Sequence, residues 1–196
     1  MTDPLTDADD EASTPLTPEE RAALIPSYIT NRGLLNEAEQ LAINNAVAWA
    51  FSRRRNVLSE PFLRRLHARM FAGVWSWAGE FRTTPRNIGV EAWKIEVEVR
   101  QLLDDARYWV DHQTYPADEI AVRFHHRLVF IHPFPNGNGR LTRMAADLLA
   151  VRLGRVRFSW GGGDLAGAAD VRKRYIAALK AADGNEIGPL LEFARS

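Results

Sequence analysis

Twelve residues, His132 to Arg143, bring together a base, a flexible glycine segment and two cations: His132-Pro133-Phe134-Pro135-Asn136-Gly137-Asn138-Gly139-Arg140, then Arg143. Downstream, Leu141, Met144, Ala145, Leu148, Leu149 and Leu153 repeat at the spacing of one buried helical face. A helix therefore begins inside Gly137-Asn138-Gly139. Glycines allow turn geometry and close approach, and the first amides of a helix point outward at its positive end. Such an end seats a phosphate. Arg140 and Arg143 are three apart, so they share a face and can reach one polyphosphate. His132 stands just outside that seat, with a side chain suited to taking a proton from an attacking hydroxyl. Alone, a His before Pro reads as a loop residue and an Arg pair as a solvated face. Their concentration in one run points to phosphate chemistry. The chain has no G-x-x-x-x-G-K-[ST] loop and no G-x-G-x-x-G after a strand pattern, and Gly161-Gly162-Gly163 reads as a connector.

His132, Phe134, Gly137, Asn138, Gly139, Arg140 and Arg143 fill the pattern H-x-F-x-[DE]-G-N-G-R-x-x-R, and the segment resembles the signature of the Fic family. Leu63-x-x-Leu66-His67 and Phe71-x-x-Val74-Trp75-x-Trp77-Ala78-Gly79-x-Phe81-Arg82 resemble the stretch leading into that family's substrate flap, and Asn87-Ile88-Gly89 resembles the flap itself. The likeness spans roughly residues 24–194. It implies an all-α core with a small β-hairpin flap, and transfer of AMP from ATP, with Mg²⁺, to a Ser, Thr or Tyr hydroxyl of a target protein. Carried onto this chain, it makes His132 the general base and Phe134 the core anchor of the loop. Gly137, Asn138 and Gly139 become the anion hole for the α- and β-phosphates, Arg140 lies beside them, and Arg143 meets the γ-phosphate.

One position departs from the pattern. Asn136 stands where the family carries the acidic residue that holds Mg²⁺, and an amide oxygen brings no charge to a hard cation. Three outcomes stay open: Mg²⁺ held mainly by the phosphates, a different phosphate-linked donor, or a nucleotide-binding regulatory partner with weakened catalysis. Pro135-Asn136, with Thr30-x-Arg32-Gly33-x-Leu35-Asn36-Glu37-x-Glu39, further resembles the Fic proteins called mobile mystery protein B. That branch implies a toxin-like protein of mobile elements beside a helix-turn-helix partner. Many Fic proteins also carry an inhibitory [ST]-x-x-x-E element, and aligning Thr30 with it puts Leu34 where the Glu would be. Glu37 is the nearest substitute. Asn36 followed by Glu39 reads as a capping box.

The 196 residues suffice for one core, expected as a single domain over 21–196 behind an acidic tail at 1–20 that contains no Lys or Arg. With 25 basic and 25 acidic residues, direct nucleic-acid binding is not expected, and Arg53-Arg54-Arg55 reads as a helix end. The absence of Cys excludes disulfides. Without a membrane-length apolar run or a signal pattern, the expectation is a cytoplasmic protein with no membrane contact.

Spacing predicts helices at about 37–55, 60–76, 96–112, 117–130, 138–153, 170–182 and 187–194. Ile120, Phe124 and Leu128 deliver the fourth to His132. Helical periodicity fails from Phe81 to Ile95, where Thr83, Thr84, Pro85 and Gly89 favour the flap, with Trp93 or Ile88 as candidate covers for nucleotide or target. His67 and His112 read as core or surface residues, and His125-His126 lacks metal-ligand spacing.

Overall fold

Among the described residues, apolar helical faces packed around one core hold α5 and α6, and with them the loop that joins His132 to the glycine segment. The computed structural model describes residues 16–162 and 167–196, so residues 1–15 and 163–166, Gly163 of the expected connector among them, lie outside the described residues. The helices run α1 Pro18–Ala22, α2 Arg32–Phe51, α3 Glu60–Phe71, α4 Ile95–His112, α5 Ala117–Ile131, α6 Asn138–Arg152, α7 Ala168–Asp183 and α8 Gly188–Arg195. The most extensive packing joins α5 to α6, the two helices that flank the motif loop, with α2 on α3 and α4 on α5 next. Phe124, Leu128 and Ile131 of α5 and Leu141, Ala145 and Leu149 of α6 are fully buried between them. Burial of a large apolar side chain contributes roughly 1.5–3 kcal/mol, so this seam fixes where the motif sits.

Four expectations are corrected. No hairpin forms among the described residues: from Arg82 to Glu91 the chain is irregular, and the one β-bridge joins Leu24 to Trp75. The reason is where its backbone groups go. The Arg82 amide donates to Pro133 O at 2.9 Å and the Val90 amide to Ile131 O at 3.3 Å, so the segment pairs with the motif loop instead of with itself. Pro85, which has no N–H, and Gly89 at φ +94° further suit a loop.

The second correction concerns the start of α2. Asn31, in extended geometry, caps the helix by accepting from the Leu34 amide at 3.1 Å, five residues before the expected capping box. Glu39 therefore lies inside the helix, on the buried face with Leu35, Ile43, Ala46 and Ala50. The same helix stops at Phe51, so Arg53-Arg54-Arg55 follows it, and Arg55 folds back to donate to the carbonyls of Trp49 and Ala50.

The third concerns residues 16–20, expected in the tail. Thr17 and Glu20 form a reciprocal capping box around α1, and Trp77 Nε1 donates to Glu20 O at 3.0 Å. Fourth, the helix expected at 60–76 ends at Phe71, after which Trp75 turns inward and is 1% exposed.

Candidate active site

The motif loop is built from its backbone outward. α5 ends in a left-handed residue, and that residue is His132 itself, at φ 54° and ψ 58°. Few non-glycine residues adopt this region, so the chain turns sharply out of α5 at this histidine. Gly137, at φ +77°, caps α6. A Cβ there would lie 2.5 Å from the Phe71 ring, so only glycine fits between the loop and α3.

Asn138, 2% exposed, closes the turn: its Oδ1 accepts from the Phe134 amide at 2.9 Å and its Nδ2 donates to Phe134 O at 2.8 Å. Its side chain is thus a clamp, and only its main-chain N–H remains to face a ligand. Phe134 is fully buried, stacked on His67 at 3.9 Å and edge-on to Phe81.

His67 holds this loop to α3. The Gly79 amide donates to its Nδ1 at 2.9 Å, which leaves Nε2–H to donate to Asn136 O at 3.0 Å. Burial pulls its pKa down to about 3, in keeping with that neutral tautomer.

At the open end of α6 the first amides have no preceding carbonyl in the helix. A Cβ placed on Gly139 would meet only Arg143 Nη1, at 3.7 Å. Arg143 therefore folds back along α6 toward Gly139, which puts a guanidinium near amides able to seat an anion. Arg140 points elsewhere: its Nη1 donates to Glu39 Oε2 at 2.6 Å and its Nη2 contacts Asn136 Oδ1 at 3.4 Å. The other Glu39 oxygen accepts from Trp75 Nε1 at 2.8 Å. Glu37 is exposed and Leu34 packs on the core, so the α2 carboxylate that reaches the motif is Glu39.

His132 is 9% exposed, with its pKa lowered to about 4. Burial is the main cause, the Val129 carbonyl opposes it by accepting from the ring, and the charges of Arg82 and Arg86 depress it further. The ring is neutral at pH 7 and offers a lone pair.

The flap lies directly on this histidine. A Cβ on Gly89 would sit 2.6 Å from the His132 Cβ. Arg82, 3% exposed, sews the two segments together, donating from Nε to His132 O at 2.7 Å, from Nη1 to Thr84 O at 2.9 Å and from Nη2 to Val90 O at 2.5 Å. Below, Arg86 pairs with Glu20 of α1, whose other oxygen accepts from Thr84 Oγ1 at 3.3 Å. Asn87 is exposed, Ile88 half-buried, and Trp93 is 78% exposed with Lys94 over its ring.

The structure thus brings together His132, Gly137, Asn138, Gly139, Arg140, Arg143, Phe134 and Gly89, and adds Arg82, Glu39 and His67, to which the sequence reading gave no part in the site. Glu39 carried a legible signal, a carboxylate on an apolar helical face that demands a partner. Arg82 carried none beyond its place beside Phe81.

A protein-built Mg²⁺ site does not fit this donor set. Asn136 Oδ1 already accepts from the Gly137 amide at 2.5 Å and faces Arg140. No group of three or more His, Cys, Asp or Glu could hold a metal among the described residues. No helix among them is long and apolar enough to cross a membrane.

Comparison with known proteins follows the geometry. The sequence model of the Fic/DOC family matches residues 57–150. Among curated proteins, the chain is 30% identical over 119 residues to protein adenylyltransferase fic-1 of Caenorhabditis briggsae and 29% identical over 119 to that of Caenorhabditis elegans, in each case 59% of this chain and 22% of the relative. The chain spans about a fifth of the length of these relatives. Among solved structures it is similar to the N-terminal Fic domain of a Bartonella quintana Bep effector, at TM-score 0.70 and 20% identity over 90% of this chain and 91% of that one. It is also similar to the BepC protein of Bartonella tribocorum with bound AMPPNP, at TM-score 0.69 and 20% identity over 91% and 97%. At such identity the likeness establishes the all-α fold.

Proposed function

From the premise that residues 57–150 are a Fic/DOC family domain, we propose that the protein transfers AMP from ATP to a Ser, Thr or Tyr hydroxyl of a target protein. The observation that carries the proposal is the buried His132 at the end of α5, joined by one short glycine-bearing loop to α6, whose Arg143 guanidinium folds back toward Gly139. The curated relatives named protein adenylyltransferase, and the related structure with bound AMPPNP, support the donor.

In this reaction the hydroxyl oxygen attacks the α-phosphorus while His132 takes its proton, and the bond to the bridging oxygen breaks to release pyrophosphate. The α6 amides accept the charge on the α- and β-phosphates, and Arg143 meets the γ-phosphate. Little covalent work falls to the protein, so positioning and charge supply the rate. Mg²⁺ would enter on the nucleotide's own phosphates, and no step here is routed through it. Gly89, with Asn87 and Ile88, lays the flap against His132, where an extended target segment would present its hydroxyl.

Asn136 favours one second reading. Its uncharged oxygen is occupied by internal donors, which suits a nucleotide-binding regulator with weakened catalysis, partnered with a helix-turn-helix protein as the mobile mystery protein B resemblance implies. Incubation with α-labelled ATP, Mg²⁺ and a cell lysate tests both. The transferase labels targets or itself, γ-labelled ATP leaves no label, and His132→Ala abolishes transfer. ATP binding without any label supports the regulator. Label that appears only with another phosphate-linked donor moves the donor assignment.

A further inference from the structure

The two motif arginines are held differently. Arg140 forms an ion pair with Glu39, whereas Arg143 forms no ion pair among the described residues. Behind Arg143 stands Tyr175 of α7. The guanidinium carbon lies 5.4 Å from the Tyr175 ring centroid, close enough for its charge to act on the phenol. On its far side that oxygen lies 3.1 Å from His125 Nε2 of α5.

The direction of this relay follows from the donor inventory. Arginine only donates, so toward Arg143 the Tyr175 oxygen can only accept, and the phenol keeps its own proton to give away. His125 is fully buried, between Trp160 at 4.6 Å and Tyr175 at 5.9 Å. Burial, with the nearby Arg143 charge, keeps its ring neutral, with a pKa pulled down to about 3. A neutral ring can take the phenol proton at Nε2. The line of contacts runs Arg143 to Tyr175 to His125 and joins α6, α7 and α5.

A carboxylate in this place would orient Arg143 just as well but would cancel its charge. A phenol backed by a neutral imidazole fixes the fork and leaves the whole positive charge for an incoming anion. We propose that Tyr175, oriented by His125, is a positioning residue that aims Arg143 at the terminal phosphate and thereby makes the site prefer a nucleoside triphosphate over a monophosphate. This rests on the nucleotide-transfer reading above.

Calorimetric titration of the full chain with ATP, ADP and AMP tests it, using wild type, Tyr175→Phe, Arg143→Ala and the double variant. Loss of one orienting hydrogen bond corresponds to roughly a three- to tenfold weaker ATP affinity in Tyr175→Phe. AMP affinity should stay the same, and adding Tyr175→Phe to Arg143→Ala should change ATP affinity by less than about twofold. In transfer assays the loss should appear in KM for ATP with kcat little changed. An equal loss for AMP, meaning that Tyr175 touches the nucleoside, overturns the proposal, as do additive losses in the double variant.

The relay is also readable without nucleotide. In ¹⁵N-arginine spectra of the folded proteins the Arg143 Nε–H should exchange slowly in wild type and rapidly in Tyr175→Phe. Equal exchange in the two proteins refutes the contact. Should wild type bind none of the three nucleotides, the transferase reading falls along with the triphosphate preference, and the exchange measurement still decides whether Tyr175 holds Arg143.

Discussion

Lowering the pH from 7 to 5 should cost this protein a large share of its stability, because its motif is braced by neutral buried histidines. His67 and His125 are fully buried and His132 nearly so, and burial is the leading cause of the shift in each. Their values fall from 6.5 to about 3, about 3 and about 4. The unfolded chain takes up these protons near pH 6.5 and the folded chain only near pH 3–4, so the unfolded state binds more protons throughout that window. Stability is fully present above 6.5 and is lost as pH falls toward the folded values. At 1.36 kcal/mol per unit, pH 5 costs about 2 kcal/mol for each histidine and on the order of 6 kcal/mol for the three. Domains of ordinary size hold only about 5–15 kcal/mol. Asp147, whose pKa burial raises, works in the opposite direction and offsets part of this loss. Urea unfolding followed by tryptophan fluorescence at pH 7, 6 and 5 measures the effect, with a slope approaching about 4 kcal/mol per pH unit below pH 6. Replacing His125 by Gln should remove about one third of that slope. A stability that stays flat between pH 7 and 5 would refute the neutral, buried assignment of these rings.

Other perturbations act on single contacts. Gly89→Ala places a Cβ 2.6 Å from the His132 Cβ at a positive φ, so it should displace the flap, cost roughly 1–2 kcal/mol in strain and lower transfer on the order of a hundredfold, measured by label incorporation beside urea unfolding. Asn138→Ala strips the Phe134 amide and carbonyl of buried partners and should destabilise by about 2–4 kcal/mol, read from the urea midpoint; a change under about 0.5 kcal/mol would deny the clamp. Asn136→Asp keeps both acceptor contacts and adds a charge, so the Mg²⁺ concentration giving half-maximal transfer should fall; neither tighter metal use nor faster transfer would defeat the donor argument.

Local pattern revealed what local physics decides. The stripe from Leu141 to Leu149 and the run Ile120, Phe124, Leu128 located α6 and α5 to within a residue or so, because a helix that buries one face must repeat it. The motif gave the glycine turn before α6 for the same reason: positive φ at Gly137 needs a residue without a Cβ. What escaped were contacts whose partners lie far apart in sequence. Arg82 reaches His132, 50 residues on, and Arg140 reaches Glu39, 101 residues back, so no spacing rule links either pair. The flap was misjudged as a hairpin because turn residues report that the chain bends and not which carbonyls its amides will find. α1 escaped because five residues are too few to show a period, although Thr17 and Glu20 stood at capping-box spacing.

The Glu39 contact has a testable electrostatic consequence. With only 4% of its side-chain surface exposed, this carboxylate cancels Arg140, one of two cations at the mouth of α6, while its second oxygen is fixed by Trp75. A triphosphate therefore meets the helix amides and Arg143 as its main unneutralised donors. Glu39→Gln keeps an acceptor for Trp75 and removes the negative charge. The freed Arg140 side chain is about one third exposed, so its added attraction is screened and should amount to about 1 kcal/mol, or roughly fivefold tighter ATP at low salt. The gain should shrink as ionic strength rises. Breaking a partly buried pair should also lower the melting temperature. Affinity and salt dependence together separate two roles for Glu39: tighter, salt-sensitive binding means that it restrains Arg140 by neutralising it, while weaker binding at any salt means that Arg140 already contacts the phosphates and needs the carboxylate to orient it.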